Sequence, residues 1–157
     1  MTEEEKIKQE LEQKFGFLKD TIAIKRKGRM FFDVPSEKFD EVFAYAVKQM
    51  HFDAICAITG MDIVDRYAIM YHLNRQGSIV LNLRIYTGKD NPVIKTVTLF
   101  FPGAEMYERE MMDLLGIKVE GLPEGGRYPL PDNWPKDEHP LRKDWKAGAS
   151  KKENQNA

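Results

Sequence analysis

One stretch of the sequence, MYEREMMDLLGI, carries enough charged groups to do chemistry. Glu108, Arg109 and Glu110 are consecutive there, and Asp113 follows after two methionines. Residues four apart share one stripe of a helix, so Arg109 and Asp113 would line up with Glu105. Two carboxylates in one site can act as a general acid and a general base. That chemistry needs a cleft, which one helix cannot supply by itself.

The same charges have two other interpretations, and the sequence leaves all three open. On a solvent-exposed helix face, pairs four residues apart contribute only about 0.3–0.5 kcal/mol each. Buried against a partner subunit, an unpaired charge would cost several times more, so the pairs would set the register of the contact. The spacing alone favours the exposed face. The interface interpretation predicts that Arg109→Ala leaves the isolated fold mostly intact and weakens assembly.

The sequence offers little support for metal or redox chemistry. Its histidines, His51, His72 and His139, are far apart, and Cys56 is the only cysteine. Both the spacing of a zinc site and the four thiolates of an iron–sulfur cluster are lacking. Cys56 lies in the apolar run AICAI, which predicts a small core residue. Neither a P-loop nor a GxGxxG stretch occurs, so we predict no directly bound cofactor or metal.

The overall composition indicates one compact domain. The 157 residues are 42% hydrophobic, which is enough for a core. The 24 basic and 25 acidic residues nearly cancel, so nucleic acid is not expected as a partner. The start of the chain does not resemble a signal peptide, and no apolar run approaches the roughly 18–20 residues that span a bilayer. We therefore expect a cytosolic protein that meets a membrane only through partners.

Apolar spacing predicts the elements that would position the charges. A helix is expected at residues 2–14, and a second begins at Ser36 as its N-cap and ends at residue 50. A hairpin turns at Gly28, and alternation predicts further strands. The predicted strands cover residues 21–25, 29–34, 54–59, 66–73 and 78–86. The wetter face of the last strand is expected to hold Val80, Asn82 and Arg84.

The charged stretch itself is predicted to form a helix from near Pro102 to Gly116, after a strand or extended segment that runs through Phe101. Five of the eight prolines then fall between residues 121 and 145, which excludes a long helix or strand there. The apolar anchors of this segment are Tyr128, Leu130, Trp134, Leu141 and Trp145. We expect an α/β domain at residues 1–120, a Pro-rich docking strap at 121–145 and a disordered tail at 146–157.

The fold class that follows is α+β. It has a mainly antiparallel sheet of about four to five strands, covered by two to three helices, and an extended Pro-rich C-terminal strap.

These motifs together resemble one known family. FPGAEMYEREMMDLLGI, followed after a linker by HPLRKDW, is similar to the signature region of the 30-kilodalton subunit of respiratory complex I, the NADH–quinone oxidoreductase C subunit. The family also supplies the corresponding subunit of energy-converting membrane-bound hydrogenases and related archaeal complexes. The matching residues are Phe101, Pro102, Gly103, Ala104, Glu108, Arg109, Glu110, Asp113, Gly116, Ile117 and residues 139–144. Between the two motifs, RYPLPDNWP is closest in style to the archaeal hydrogenase or sulfur-reducing relatives.

The resemblance implies a non-catalytic structural subunit in the peripheral arm of a membrane-bound respiratory electron-transfer complex. It would bind no cofactor and would dock on the large, hydrogenase-like subunit, with the small iron–sulfur subunit as a further partner. Iron–sulfur clusters, or nickel–iron, would belong to those partners. The chain would lie on the cytoplasmic side of the cell membrane, in a complex that translocates ions. The alternatives are the C subunit of NADH–quinone oxidoreductase proper, a free-standing small acid/base enzyme, and a soluble binding or assembly factor that joins a complex only transiently.

On this interpretation a set of residues in the two motifs and the strap forms the partner interface. They are Glu108, Arg109, Glu110, Asp113, Tyr128, Trp134, His139, Leu141, Arg142, Lys143, Asp144 and Trp145.

Overall fold

The structure is a computed structural model, and it describes residues 1–148. The helices are α1 (Glu3–Lys14), α2 (Phe39–Lys48) and α3 (Ala104–Leu115). The strands are β1 (Ala23–Arg26), β2 (Arg29–Asp33), β3 (Ala54–Asp62), β4 (Arg66–Arg75), β5 (Ile79–Gly88), β6 (Val93–Lys95) and β7 (Lys118–Glu120). No helix in the described part of the chain is long and apolar enough to cross a bilayer. Most of the predicted tail, residues 149–157, lies outside the described residues.

Five strands form one sheet in the order β1-β2-β5-β4-β3. Neighbouring strands are antiparallel except β2 and β5, which run parallel, so the predicted α+β class with a mainly antiparallel sheet is confirmed. β6 and β7 pair in parallel in a separate sheet. The predicted extended segment through Phe101 is too long, because β6 ends at Lys95 and residues 98–100 form a turn. β7 has only three residues, too few to show an alternation in the sequence.

The helices pack on one face of the five-stranded sheet. Ile79, Leu81, Leu83 and Ile85 of β5 point to that face and are buried, as their alternation predicts. Phe39 and Phe43 of α2 surround Tyr71 of β4, with ring centroids 4.6 and 5.5 Å from its ring. α1 adds its thin apolar stripe, Ile7 and Leu11, to the same core. The side chains of α3 lie against Gly60 of β3.

The predicted N-cap of the second helix is wrong. Residues Ser36–Lys38 form a 3-10 turn, and α2 begins only at Phe39. The Ser36 hydroxyl donates to the carbonyl of Tyr86, 2.5 Å away, and is therefore not available to cap the helix. The contact with β5 outweighs the local capping preference. At the start of the chain, Thr2 does cap α1, in a reciprocal capping box with Glu5.

Two residues on the opposite face of the sheet differ from their predictions. Alternation predicts Asn82 on the wetter face, yet it is only 4% exposed, because its amide donates to Met30 O and its Oδ1 lies 2.6 Å from His72 Nδ1. The apolar run predicts Cys56 in the core, yet it is exposed. The pairing of β3 with β4 shifts between Ile55 and Ala57, so Cys56 is the extra residue of a bulge.

The first prediction concerns the turn between β1 and β2. Gly28 has φ +71°, and a Cβ there would lie 2.5 Å from Ser78 O. We expect Gly28→Ala to lower the free energy of unfolding by about 2 kcal/mol or more, since the positive φ costs roughly 1 kcal/mol and the clash adds to it. Denaturant unfolding of the isolated chain measures this loss.

Gly77→Ala is the matched control. Gly77 has φ +69°, but nothing lies within 4 Å of its would-be Cβ, so only the backbone cost of about 1 kcal/mol is expected. Equal losses in the two variants would contradict the predicted clash.

Candidate functional site

Helix α3 presents its charged residues to different surroundings. Its core face holds Ala104, Met111 and Leu115, each 3% exposed or less. The helix ends at Gly116, whose left-handed conformation, with φ 73°, lets its N–H reach the carbonyls of the last turn. Glu108 also points to the core side, whereas Arg109 and Asp113 face residues 121–148, the C-terminal segment, which contains neither helix nor strand.

Glu108 is 0% exposed and binds the loop after β6. Its Oε1 accepts a hydrogen bond from Val97 N at 2.7 Å, and its Oε2 accepts one from the Thr96 hydroxyl at 2.6 Å. Burial raises the pKa of the Glu108 carboxyl, and the bonds from Thr96 and Val97 oppose that rise. The carboxylate thus accepts hydrogen bonds from a side-chain and a backbone donor that follow the end of β6. Its role is to order this loop.

Arg109 is 9% exposed and fastens the C-terminal segment to α3. Its Nε donates to Glu105 Oε1 at 2.8 Å, and its terminal nitrogens donate to the carbonyls of Pro123 and Gly126. A Cβ on Gly125 would clash with Arg109 Nη2, so the segment packs directly against the guanidinium. The planar, five-donor guanidinium suits such simultaneous contacts.

Asp113 is the second attachment point of the segment. Its Oδ1 accepts from Arg127 Nε and its Oδ2 from Leu130 N, each at 3.1 Å. Its backbone carbonyl lies 2.8 Å from His139 Nδ1. A carbonyl can only accept, so this contact assigns the proton of a neutral His139 to Nδ1. Arg127 in turn donates from Nη1 to Trp134 O, which links the two ends of the proline-rich stretch.

The HPLRKDW motif covers the carboxyl end of α3. Leu141 N donates to Leu114 O at 2.9 Å, and Arg142 Nε donates to Leu115 O at 2.7 Å. These carbonyls belong to the last turn of the helix, where no intrahelical donor is available. The positive charge of Arg142 also lies at the negative end of the helix dipole. Two parts of the sequence more than twenty residues apart therefore form one cap.

The Trp pair closes the end of the segment. The rings of Trp134 and Trp145 have centroids 6.1 Å apart. Both indole nitrogens donate to Glu138, Trp134 to its carbonyl and Trp145 to its carboxylate. These rings are only partly exposed, and each is satisfied within the chain.

The predicted interface residues thus divide into two groups. The interpretation of α3 as carrying a solvent-exposed charged face is wrong for Glu108, Arg109 and Asp113, which are buried and bonded within the chain. Other predicted residues point outward. Tyr128 is 41% and Leu141 54% exposed, Lys143 and Asp144 are exposed, and Glu110 is half-buried.

Asp62 is a residue of this region that the sequence pattern does not reveal. Its side chain is 1% exposed and lies 2.8 Å from Lys89 Nζ, and it accepts from the backbone N–H groups of Val64 and Lys143. Burial raises its pKa, but the hydrogen bonds from Lys89, Lys143 and Val64 prevail and lower the pKa to about 2. The contact with Lys143 spans 81 positions, so no local pattern could indicate it. Arg127 binds Asp113 from 14 positions away, so the local sequence does not indicate its role either.

None of these side chains forms a metal site. Within residues 1–148, no group of three or more His, Cys, Asp or Glu side chains is arranged to hold a metal ion.

Comparison with known proteins identifies the family. Residues 32–151 match the family described as the respiratory-chain NADH dehydrogenase 30 kDa subunit. The chain belongs to this family. The matched range contains α3, its buried charges and the C-terminal segment that binds them.

The relatives include subunits of NADH-quinone oxidoreductase and of F(420)H(2) dehydrogenase. The chain is 32% identical over 135 residues to NADH-quinone oxidoreductase subunit 5 of Thermus thermophilus, which covers 77% of this chain and 63% of that protein. It is 34% identical over 115 residues to the C subunit of the F(420)H(2) dehydrogenase of Methanosarcina mazei, which covers 71% of this chain and 72% of that protein. The chain spans 22% to 63% of the length of the first curated relatives that it matches.

A solved structure shows the same architecture over nearly the whole chain. One chain of the membrane-bound sulfane sulfur reductase, an archaeal respiratory membrane complex, matches with a TM-score of 0.78 and 25% sequence identity. The match covers 98% of this chain and 91% of that chain.

The second prediction concerns Arg109. We expect Arg109→Ala to lower the free energy of unfolding by about 2–3 kcal/mol, the usual contribution of hydrogen bonds made by a charged group. The carbonyls of Pro123 and Gly126 would also lose their donor. Cleavage by trypsin after Arg127 should also become faster. The sequence alone predicts that Arg109→Ala leaves the isolated fold mostly intact. Because Arg109 makes buried contacts within the chain, we now expect the isolated fold to lose stability.

Arg66→Ala is the control for Arg109→Ala. The Arg66 side chain is 50% exposed, its nearest carboxylate, on Asp65, is 3.8 Å away, and its guanidinium lies 4.2 Å from the centroid of the Tyr86 ring, so we expect a loss of only about 1 kcal/mol. If both variants were equally stable, the attachment of the segment by Arg109 would be refuted.

The third prediction concerns pH. Asp62 has a lower pKa in the folded chain than its ordinary value of 3.8, so its contribution to stability is complete above pH 3.8 and is lost as the pH falls to about 2. We expect the free energy of unfolding to decrease over this range, and to decrease less in Asp62→Asn. Parallel pH profiles of the two proteins, from denaturant unfolding, would contradict the role of Asp62.

Proposed function

We propose that this chain is a structural subunit, without an active site of its own, of the peripheral arm of a complex I-like membrane-bound electron-transfer complex. In this proposal it docks on the large, hydrogenase-like subunit and also meets the small iron–sulfur subunit. Iron–sulfur clusters, and nickel–iron in a hydrogenase-type parent, are held by those partners. The complex translocates ions, and the chain lies on the cytoplasmic side of the membrane, which it reaches only through its partners.

One observation carries the structural role. The buried charges of the signature helix, Glu108, Arg109 and Asp113, are all engaged in ordering other parts of the same chain. Their carboxylates already accept hydrogen bonds on both oxygens, so they are built as attachment points rather than as an acid and a base. What this arrangement offers to another molecule is a fixed outer surface.

The C-terminal segment is the docking element of the proposal. It is held at Arg109 and Asp113, and its prolines restrict φ before any partner binds. Ordering the segment therefore costs little further entropy on association. Tyr128 and Leu141 project from it as exposed apolar anchors, and Lys143, an exposed cation, follows shortly after Leu141 in sequence. Aromatic and apolar side chains on a rigid support are typical of residues that dominate binding energy.

Two parent complexes are candidates. A hydrogenase-type or sulfur-reducing complex is favoured by the match over nearly the whole length to a chain of the archaeal sulfane sulfur reductase. NADH–quinone oxidoreductase proper is supported by the 32% identity to its subunit 5 in Thermus thermophilus. The partner subunits that accompany the chain distinguish the two.

The fourth prediction tests the assembly. We expect the tagged full-length chain, isolated from its native cells in mild detergent, to retain a large hydrogenase-like subunit and a small iron–sulfur subunit in equal amounts, as measured by quantitative mass spectrometry. A nickel–iron site in the large subunit would identify a hydrogenase-type parent. Recovery of the chain as a free monomer would overturn the proposal.

A matched pair of variants tests the docking segment. Tyr128→Asp should reduce the retained large subunit by about tenfold or more, because a charge would replace an apolar anchor. Phe17→Asp is the control, since Phe17 is also 41% exposed but lies after α1. Equal retention in the two variants would argue against docking through the segment.

A further inference from the structure

A groove runs along the outer edge of β3, beside α3. It has a volume of about 330 Å³. Its floor is formed by residues 57–60, and its walls include Tyr107, Glu110, Leu114 and Leu141. Successive side chains of a strand point to opposite faces of its sheet. Consecutive residues can therefore line one groove only if the groove follows the edge of the strand, where the backbone itself is accessible.

The backbone of this edge has hydrogen-bonding groups to offer. β3 is the outermost strand of the sheet as far as the chain is described. In an antiparallel pair, opposite residues alternate between pairs that exchange ladder bonds and pairs that do not. Ile63 N donates to Arg66 O, so these two residues form a pair that exchanges ladder bonds. The register of β3 and β4 is unchanged back to Ala57, so residues 57, 59 and 61 also bond to β4. The N–H and C=O groups of Ile58 and Gly60 therefore point outward, into the groove.

Both ends of the edge are closed by side-chain contacts. At one end, the Tyr107 hydroxyl donates to the carbonyl of Cys56, the bulge residue. At the other end, the Asp62 carboxylate accepts from Lys143 N, where the C-terminal segment passes. The free edge between these two contacts is residues 57–61, about 15 Å of strand at roughly 3.3 Å per residue. An occupant that pairs with it is thus limited to about five residues.

The walls of the groove indicate the chemistry of that occupant. Leu141 is 54% exposed and Leu114 partly exposed, so an apolar side chain would be covered on this side. The Glu110 side chain has no hydrogen bond or ion pair to any of the residues that the structure describes. Its carboxylate on the wall favours a cation, and a pair shielded from water there would add to specificity.

We propose that this groove binds an extended segment of a partner subunit as an additional strand on β3. The segment is about five residues long, with an apolar side chain against Leu114 and Leu141 and a Lys or Arg side chain facing Glu110. Main-chain hydrogen bonds to Ile58 and Gly60 supply affinity, and the two side-chain contacts supply specificity. Leu141 belongs to the same C-terminal segment as the docking anchors, so the groove continues that surface. This inference rests on the proposed function.

Hydrogen exchange of the intact complex tests strand addition. We expect exchange of the Ile58 and Gly60 amides to slow by about tenfold or more in the complex relative to the isolated full-length chain, measured by mass spectrometry with residue-resolving fragmentation. The amides of Thr59 and Met61 bond to β4 in either state and serve as internal references. Unchanged exchange at Ile58 and Gly60 in an intact complex would overturn the inference and leave the proposed function standing. Failure to isolate any complex would instead overturn the proposed function.

A charge reversal tests the side-chain contact. Glu110→Lys should reduce retention of the partner subunit by about tenfold, because a cation would then face a cation. Glu37→Lys is the matched control, an exposed carboxylate on the 3-10 turn before α2. Equal retention in the two variants would refute the predicted cation.

If the isolated chain protected Ile58 and Gly60 increasingly with its own concentration, a second copy would be the occupant, and the assignment to a partner subunit would be wrong.

Discussion

The buried charges of α3 are the constraint on which the rest of this structure depends. Removing a carboxylate or guanidinium from water costs several kcal/mol unless hydrogen bonds replace the lost hydration. Glu108 obtains those bonds from the loop after β6, and Arg109 and Asp113 obtain theirs from the C-terminal segment. Two parts of the chain that lack helix or strand are thereby ordered by one helix.

The end of α3 imposes a second requirement that the same segment meets. The last carbonyls of any helix need donors from outside it. Gly116 supplies one solution within the helix, and residues 139–143 supply the others through Leu141 N and Arg142 Nε. The two family motifs, separated in sequence by a proline-rich linker, are therefore two halves of one structural unit. A change in either half leaves polar groups of the other half without partners.

Under the proposed function, this unit explains how a small subunit contributes to a complex as a structural support. Glu108, Arg109 and Asp113 are used inside the chain, whereas Tyr128 and Leu141 remain exposed. Tyr128, Leu141 and Glu110 stand on a support that exists before any partner arrives. Preorganisation of this kind reduces the entropy lost on binding. The free edge of β3 beside that support extends the same surface with backbone groups.

The sequence by itself determined the α+β class, the five main strands and the extent of α3. Each of these follows from short-range periodicity and from glycines at chain reversals, which are local properties of the chain. It could not determine which face of α3 is buried, because four-residue spacing of Glu105, Arg109 and Asp113 suits an exposed face as well as a covered one. The apolar run around Cys56 predicts a core residue, because a bulge within such a run has no recognisable sequence pattern.

Only the tertiary structure decided what the charges do. The partners of Arg109 and Asp113 in the C-terminal segment lie 14 or more positions away, and Asp62 meets Lys143 across 81 positions. Contacts of that range depend on where the chain returns in space, which no local pattern encodes. Ser36 shows the same effect in reverse, because its hydrogen bond to Tyr86 overrode a capping preference that the local sequence favours. Local propensities are worth about 1 kcal/mol each, whereas an unsatisfied buried charge costs several, so the long-range contacts prevail.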